Sequence, residues 1–250
     1  MKAVILAAGR GRRMGKRTDH LPKALLNYRG KRLLDWQLQA LRDGGIDDIA
    51  LVLGYQMQQF DISLPRFINE RWAETNMVAS LMTARQRLAT EDCIVSYADI
   101  IYSAQAIHRL RQSDGDIAIT YDPNWLELWR TRFANPLDDA ESFRLNHDGT
   151  LREIGQKPGS VEEIEGQYMG LLRFTPPGWR QVTRLVDALP TAELDRMDMT
   201  SLLNRLILSG VCVHTVAIHE PWYEFDQPSD LENATQATDK TFGGTVEENL

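Results

Sequence analysis

Cysteine is scarce here, two residues in 250, and neither Cys93 nor Cys212 has a second cysteine at metal or redox spacing. That argues against a disulfide framework and against a thiolate zinc site. Both lie in apolar, strand-like stretches, so two buried, reduced thiols are expected. The five histidines are scattered without metal-ligand spacing. No apolar run approaches the roughly 18 residues of a membrane span, and no charged leader precedes an apolar segment at Met1. A cytoplasmic protein that does not cross a membrane is the expectation. An excess of positive charge is missing too: the net charge is −7 and the pI near 5.3. General nucleic-acid binding is therefore disfavoured. Internal repeats and low-complexity tracts are absent, while 43% hydrophobic residues suffice for one large α/β core.

Against this acidic background, positive charge gathers in one place. The stretch from Leu6 to Leu26 reads LAAGRGRRMGKRTDHLPKALL, with Arg10, Arg12, Arg13, Lys16, Arg17 and Lys23 giving six cations within fourteen positions. Lys2 to Leu6 (KAVIL) predicts a short buried strand ended by small residues. Ala7 and Ala8 keep the backbone accessible, and Gly9 and Gly11 permit the positive φ angles that turn successive N–H groups toward one anion. The stretch reads as a phosphate-binding loop. It is not a Walker A loop, because the Gly11–Gly15 gap is one residue short and Lys16 is followed by Arg17, not a hydroxyl. Nor is it a dinucleotide fingerprint, whose third glycine would fall on Met14.

Downstream, Leu34, Leu38 and Leu41 predict an amphipathic helix over 32–44 stopped by Gly44 and Gly45, and Ile49–Leu53 a second buried strand. Strand, helix and strand at this spacing make a right-handed βαβ unit with the glycine loop at the carboxyl end of a parallel sheet, where open α/β sheets bind nucleotides. Residues 65–69 predict a third strand, Met77 to Leu88 a helix, Cys93–Tyr97 a fourth strand, 103–112 a helix and Ile117–Thr120 a fifth strand. The segment 125–175 mixes alternation, turns and charge and reads as an antiparallel lobe over the sheet edge. Helices follow over 176–188 and 198–209, then a last strand over Val211–Ile218. The fold class is α/β, a mostly parallel doubly wound sheet with a small antiparallel lobe.

The pattern L-A-A-G-x-G-x-R-M-G followed by P-K-A-L-L, with Arg13 and Lys23 ten residues apart, resembles the signature of nucleotidyltransferases that make activated sugars and alcohols from a nucleoside triphosphate. TNMVASL, ADIIY and YEFDQPSDL are similar to elements of the phosphocholine and phosphonate cytidylyltransferases within that family. The resemblance covers residues 1 to about 235 and implies one Rossmann-like nucleotidyltransferase domain over 1–237, an acceptor-binding lobe at about 122–175, and a flexible tail over 238–250.

The resemblance also implies roles. Ala7, Ala8, Gly9, Gly11, Arg13 and Lys23 would hold the nucleotide, with Arg13 and Lys23 catalytic. Asn76 and Ser80, one helical turn apart, either cap the helix or help read the base. Asp99 follows the fourth strand into the crevice of the glycine loop, as an oxygen ligand for Mg²⁺ beside phosphates would; the family pattern gives it, with Asp226, the catalytic Mg²⁺. Lys157 resembles a Glu-Lys-Pro element that meets the acceptor phosphate in sugar enzymes, but Gln156 stands in the Glu position. Arg130, Arg132 and Lys157 are candidates for an acceptor phosphate or phosphonate, and Trp129 for stacking on an arginine or covering a quaternary ammonium. Asp139, Glu141, Tyr168 and Glu224 are candidates for the acceptor's other end. The alternatives for the arginines are solvated pairs with Asp138, Asp139 and Glu141, and for Trp129 simple packing. The implied substrates are CTP and a small phosphonate or phosphate monoester. A sugar-1-phosphate nucleotidyltransferase using UTP or another triphosphate and a non-catalytic nucleotide sensor are the competing functions, and a homodimer is left open.

Overall fold

The computed structural model describes residues 1–238. Strand β1 (Lys2–Ala7) is an interior strand of the main sheet, its five residues after Lys2 all buried. After the glycine loop, a two-residue hairpin of β2 (Asn27–Tyr28) and β3 (Lys31–Arg32) turns the chain into α1 (Leu33–Asp43). Leu34, Leu38 and Leu41 bury one face of that helix, each fully buried leucine contributing about 1.5–3 kcal/mol. Gly45 at φ +80 ends it with a backbone that only glycine adopts without cost. The βαβ unit closes with β4 (Ile49–Leu53), parallel to β1, and β5 (Arg66–Ile68) extends the sheet beyond it.

The helix expected from Met77 to Leu88 is two: α2 (Met77–Met82) and α3 (Arg85–Leu88). The Thr83 hydroxyl donates to the Ser80 carbonyl at 2.8 Å, a local bond that competes with the helical ladder at the break. Then come β6 (Cys93–Tyr97), β7 (Ile100–Tyr102), α4 (Ala104–Arg111), β8 (Ile117–Asp122) and α5 (Trp125–Arg132). The hairpin β9 (Phe143–Leu145) and β10 (Leu151–Ile154) is the antiparallel piece of the lobe. Strand β11 (Gln167–Phe174), expected within the lobe at the sheet's edge, instead lies inside the main sheet, antiparallel to β6 and β8. Its residues are almost all buried on both faces, which edge placement could not achieve.

The chain continues through α6 (Pro176–Asp187), α7 (Thr191–Leu194), α8 (Met199–Leu208) and β12 (His214–Ala217), then β13 (Trp222–Glu224) and α9 (Asp230–Thr238). Among the described residues the main sheet has seven strands in the order β12-β8-β11-β6-β1-β4-β5, parallel except for β11. Cys93 is buried as expected, whereas Cys212 is exposed, because the strand begins only at His214. The tail expected over 238–250 lies outside the described residues apart from Thr238. Among the described residues no helix is long and apolar enough to cross a membrane.

Candidate active site

The loop after β1 turns on Gly11, at φ +68. A Cβ there would stand 2.7 Å from Lys23 Cε, so this position needs glycine both for its backbone and for the passage of the lysine stem. Among the described residues the N–H groups of Gly9 and Gly11 have no acceptor, which leaves them available to an anion. With Ala7, Ala8, Lys23 and Asp99 they wall one side of a cleft faced by Asn76 and Ser80.

Lys23 follows Pro22 in a short turn and is buried. Its ammonium donates to Asp99 Oδ2 and to Asp226 Oδ1, both at 2.8 Å. Two backbone features bring these distant acids together: β13 pairs antiparallel with β7, Glu224 opposite Ile100, and the Phe225 N–H donates to the Asp99 carbonyl at 2.9 Å. On the other side, the Gln37 carboxamide donates to the carbonyls of Tyr97 and Ile100 at 3.0 and 2.6 Å, clamping both ends of the turn that presents Asp99. Asp99, Glu224 and Asp226 offer carboxylate oxygens within 4.8 Å of one another. Asp99 Oδ1 is buried with no hydrogen-bond partner, and the donor set is all hard oxygen, which suits a divalent cation such as Mg²⁺.

Charge polarises the cluster. Burial alone would lower the Lys23 ammonium, but Asp99 and Asp226 overcome it and hold it well above its ordinary value. Burial alone would raise the Asp226 carboxyl, yet Lys23 and then Arg13 keep it below the usual carboxylate range. Glu224 goes the opposite way, raised first by burial and then by the neighbouring Asp226 charge. Arg13 leans over the cluster from the loop, 2.9 Å from Asp226 Oδ2 and 3.6 Å from Asp139 Oδ1.

Beyond Asp99, at Asp226, opens a second cleft that brings together the expected Trp129, Asp139, Glu141, Tyr168 and Glu224 with Arg13. Trp129 mostly packs, against Trp125 and Trp222, and its indole N–H donates to Asp139 Oδ2 at 3.2 Å. Three expected acceptor cations are elsewhere. Arg130 is exposed on the outer side of α5 and lines neither cleft. Arg132 points inward, its side chain 0% exposed, and is taken by carboxylates behind the site. Lys157 is exposed and donates to the Leu137 carbonyl. Asn76 caps α2 through the Met77 N–H at 2.7 Å and also donates to the Arg196 carbonyl. Ser80 is buried and accepts from Asn69 at 2.9 Å.

Sequence reasoning missed Gln37, Asp230, Gln167 and, as a site residue, Asp198. Gln37 carried a signal, a polar residue on the stripe of Leu34, Leu38 and Leu41. Asp198 was legible only as the cap of α8, whose role it does serve by accepting from the Ser201 N–H.

Residues 3–161 match the MobA-like NTP transferase domain. CTP:phosphoglutamine cytidylyltransferase of Campylobacter jejuni is 35% identical over 93% of this chain and 98% of its own. A 2-aminoethylphosphonate cytidylyltransferase of Lancefieldella rimae is 30% identical over 74% and 71%. The solved CTP:phosphocholine cytidylyltransferase of Streptococcus pneumoniae superposes with a TM-score of 0.72 at 20% identity, covering 94% of this chain and 97% of that one. That likeness speaks for the fold. The loop, the acid pair across Lys23 and these matches together place the chain in the MobA-like NTP transferase family, as a nucleotidyltransferase with a Rossmann-like fold.

Proposed function

We propose that this nucleotidyltransferase transfers CMP from CTP to a small phosphate or phosphonate monoester whose tail carries an ammonium or amide N–H donors. The observation that carries the reading is the position of Lys23, Asp99 and Asp226 at the seam of two clefts, one walled by the anion-binding loop and one by acids. The relatives' activities, cytidylyl transfer to phosphoglutamine, choline-phosphate and 2-aminoethylphosphonate, support it.

In this reading an acceptor phosphoryl oxygen attacks the α-phosphorus in line. The new P–O bond forms as the bond to the β-phosphate bridge breaks, and pyrophosphate leaves with that electron pair. The acceptor is already an oxyanion, so no protein nucleophile is needed; alignment and charge neutralisation do the catalysis. The loop amides hold the departing β,γ-phosphates in the first cleft, and Arg13 reaches toward them from the second, where it stands beside Asp226. Lys23, reaching the seam, holds the α-phosphate and the attacking oxygen. Asp99 and Asp226, with Glu224 beside them, would hold Mg²⁺, which supplies charge neutralisation at the α-phosphoryl oxygens. Asn76 retains a carboxamide N–H beyond its Arg196 bond for a pyrimidine edge, in keeping with CTP.

The acceptor's tail follows from the second cleft. Among the described residues Asp139, Glu141, Asp198, Glu224 and Asp226 surround a single cation, Arg13, so the cleft suits a tail that presents an ammonium or N–H donors. A sugar 1-phosphate has no positive group to match those acids, and Gln156 and Lys157 lie outside both clefts. Four triphosphates tested against phosphocholine, 2-aminoethylphosphonate, phosphoglutamine and glucose 1-phosphate, read as pyrophosphate, decide the matter. Highest turnover is expected with CTP and an amine- or amide-bearing acceptor. Best use of ATP or GTP would overturn the base assignment, glucose 1-phosphate would overturn the acceptor assignment, and binding without turnover would leave a sensor.

A further inference from the structure

Arg132 lies where no substrate reaches it. It lines neither cleft, its side chain is 0% exposed, and its guanidinium packs 5.2 Å from the Trp129 ring centre and 5.1 Å from that of Phe133. A cation so far from water persists only if it is fully paired. Arg132 Nη1 donates to Glu224 Oε2 at 2.9 Å, Nε to Asp230 Oδ1 at 3.2 Å, and Nη2 stands 3.7 Å from Asp226 Oδ2. Asp230 is itself fully buried, and its Oδ2 accepts the N–H groups of Asp226 and Gln227 at 2.7 and 2.9 Å. Asp230 thus fixes the main chain of Asp226, while Arg132 orients the Asp226 and Glu224 carboxylates from behind. Lys23 faces the same acids from the cleft.

We propose that Arg132 and Asp230 are the positioning pair of the divalent-cation site: they hold Asp226 and Glu224 in a ligating arrangement before metal or nucleotide arrives. This rests on the nucleotidyl-transfer reading of the site. A guanidinium's rigid, planar fork fixes the directions of the carboxylates it meets, which the rotating ammonium of Lys23, itself shared between Asp99 and Asp226, does not. Partners behind metal ligands typically matter by 10–100-fold in metal affinity or activity.

The test uses Mn²⁺ as a paramagnetic probe, titrated by electron paramagnetic resonance into the full chain without nucleotide or acceptor. Arg132→Lys keeps the charge, so a change in affinity reports geometry and not Coulomb repulsion of the metal. Mn²⁺ binding about tenfold weaker is expected, with kcat lower by about tenfold or more and the KM values for CTP and acceptor within about twofold. Asp230→Asn keeps one oxygen to accept the two N–H groups while its NH2 faces Arg132 in place of an acceptor, so it takes the buried counter-charge from the fork without altering the ligands themselves. It should move both quantities the same way by a smaller factor, and it decides the case if Arg132→Lys does not fold. Unchanged Mn²⁺ affinity overturns the proposal whatever the melting temperature does, and so does a rise confined to the acceptor KM. Wild-type protein that binds Mn²⁺ yet releases no pyrophosphate would instead overturn nucleotidyl transfer, leaving the metal-affinity comparison to stand on its own.

Discussion

The two clefts that meet at Asp99 and Asp226 are made in opposite ways. The first is walled by Ala7, Ala8, Gly9 and Gly11, small residues of which the two glycines keep main-chain N–H groups for an anion, and its charged members are Lys23 and Asp99. The second is walled by side chains gathered from α5, β11, α8 and the strand-end acids, with five carboxylates around one guanidinium. Backbone donors recognise what every nucleoside triphosphate shares, whereas a side-chain ring of one sign selects a particular tail. Shared chemistry is built from one contiguous loop and selective chemistry from scattered positions.

The largest way to break this comparison is at the seam, where both clefts depend on the same groups. Lys23→Ala and Asp99→Ala are each expected to lower turnover by about 10³-fold or more with the circular-dichroism spectrum kept, and chelation of divalent cations should do the same reversibly. Normal pyrophosphate release from either variant would remove these residues from the reaction. Next is Gly11→Ala, which forces a side chain at φ +68 against Lys23 Cε. It should destabilise the fold by about 1–3 kcal/mol in denaturant titration and cut kcat/KM for the nucleotide far more than an equal loss of stability elsewhere. A variant as active as wild type would show that the loop tolerates a shift of the lysine.

The acceptor side should respond selectively. Replacing Glu141 by Gln together with Asp198 by Asn is expected to raise the acceptor KM about tenfold while leaving that of CTP within about twofold. Equal effects on both substrates would mean that the two clefts are not independent. The smallest effect belongs to Arg130→Ala: an exposed side chain away from both clefts should change stability by no more than about 0.5 kcal/mol, and neither KM measurably. Weakened acceptor use in that variant would return Arg130 to the site.

The loop, the βαβ unit and the doubly wound order were readable because their information is local: glycine spacing, a run of cations, helical periodicity. The acceptor side was read less well, since composition reports charge but not direction. Arg130 and Arg132 sit in one RTRF run, yet successive helical residues are turned by about 100°, so two steps carry one outward and the other into the core. The outward one reached no cleft, and the inward one met Glu224 and Asp230, which come 92 and 98 residues later. Strand β11 was misplaced for a related reason. Its alternation is compatible with an edge, and only its burial between β6 and β8 reveals an interior position.

The ladder between β13 and β7 also imposes an order in time. Lys23 leaves the ribosome 203 residues before its partner Asp226. Every strand of the main sheet, β1 through β12, is synthesised before β13 exists. A nascent chain can therefore assemble its scaffold and its anion-binding loop while the acid that completes the seam has not yet been translated. Such a chain would hold Lys23 opposite Asp99 alone, able to attract phosphate but missing half of its carboxylate pair. Nucleotidyl transfer, on this topology, waits for Asp226, two residues past the last strand of the described residues.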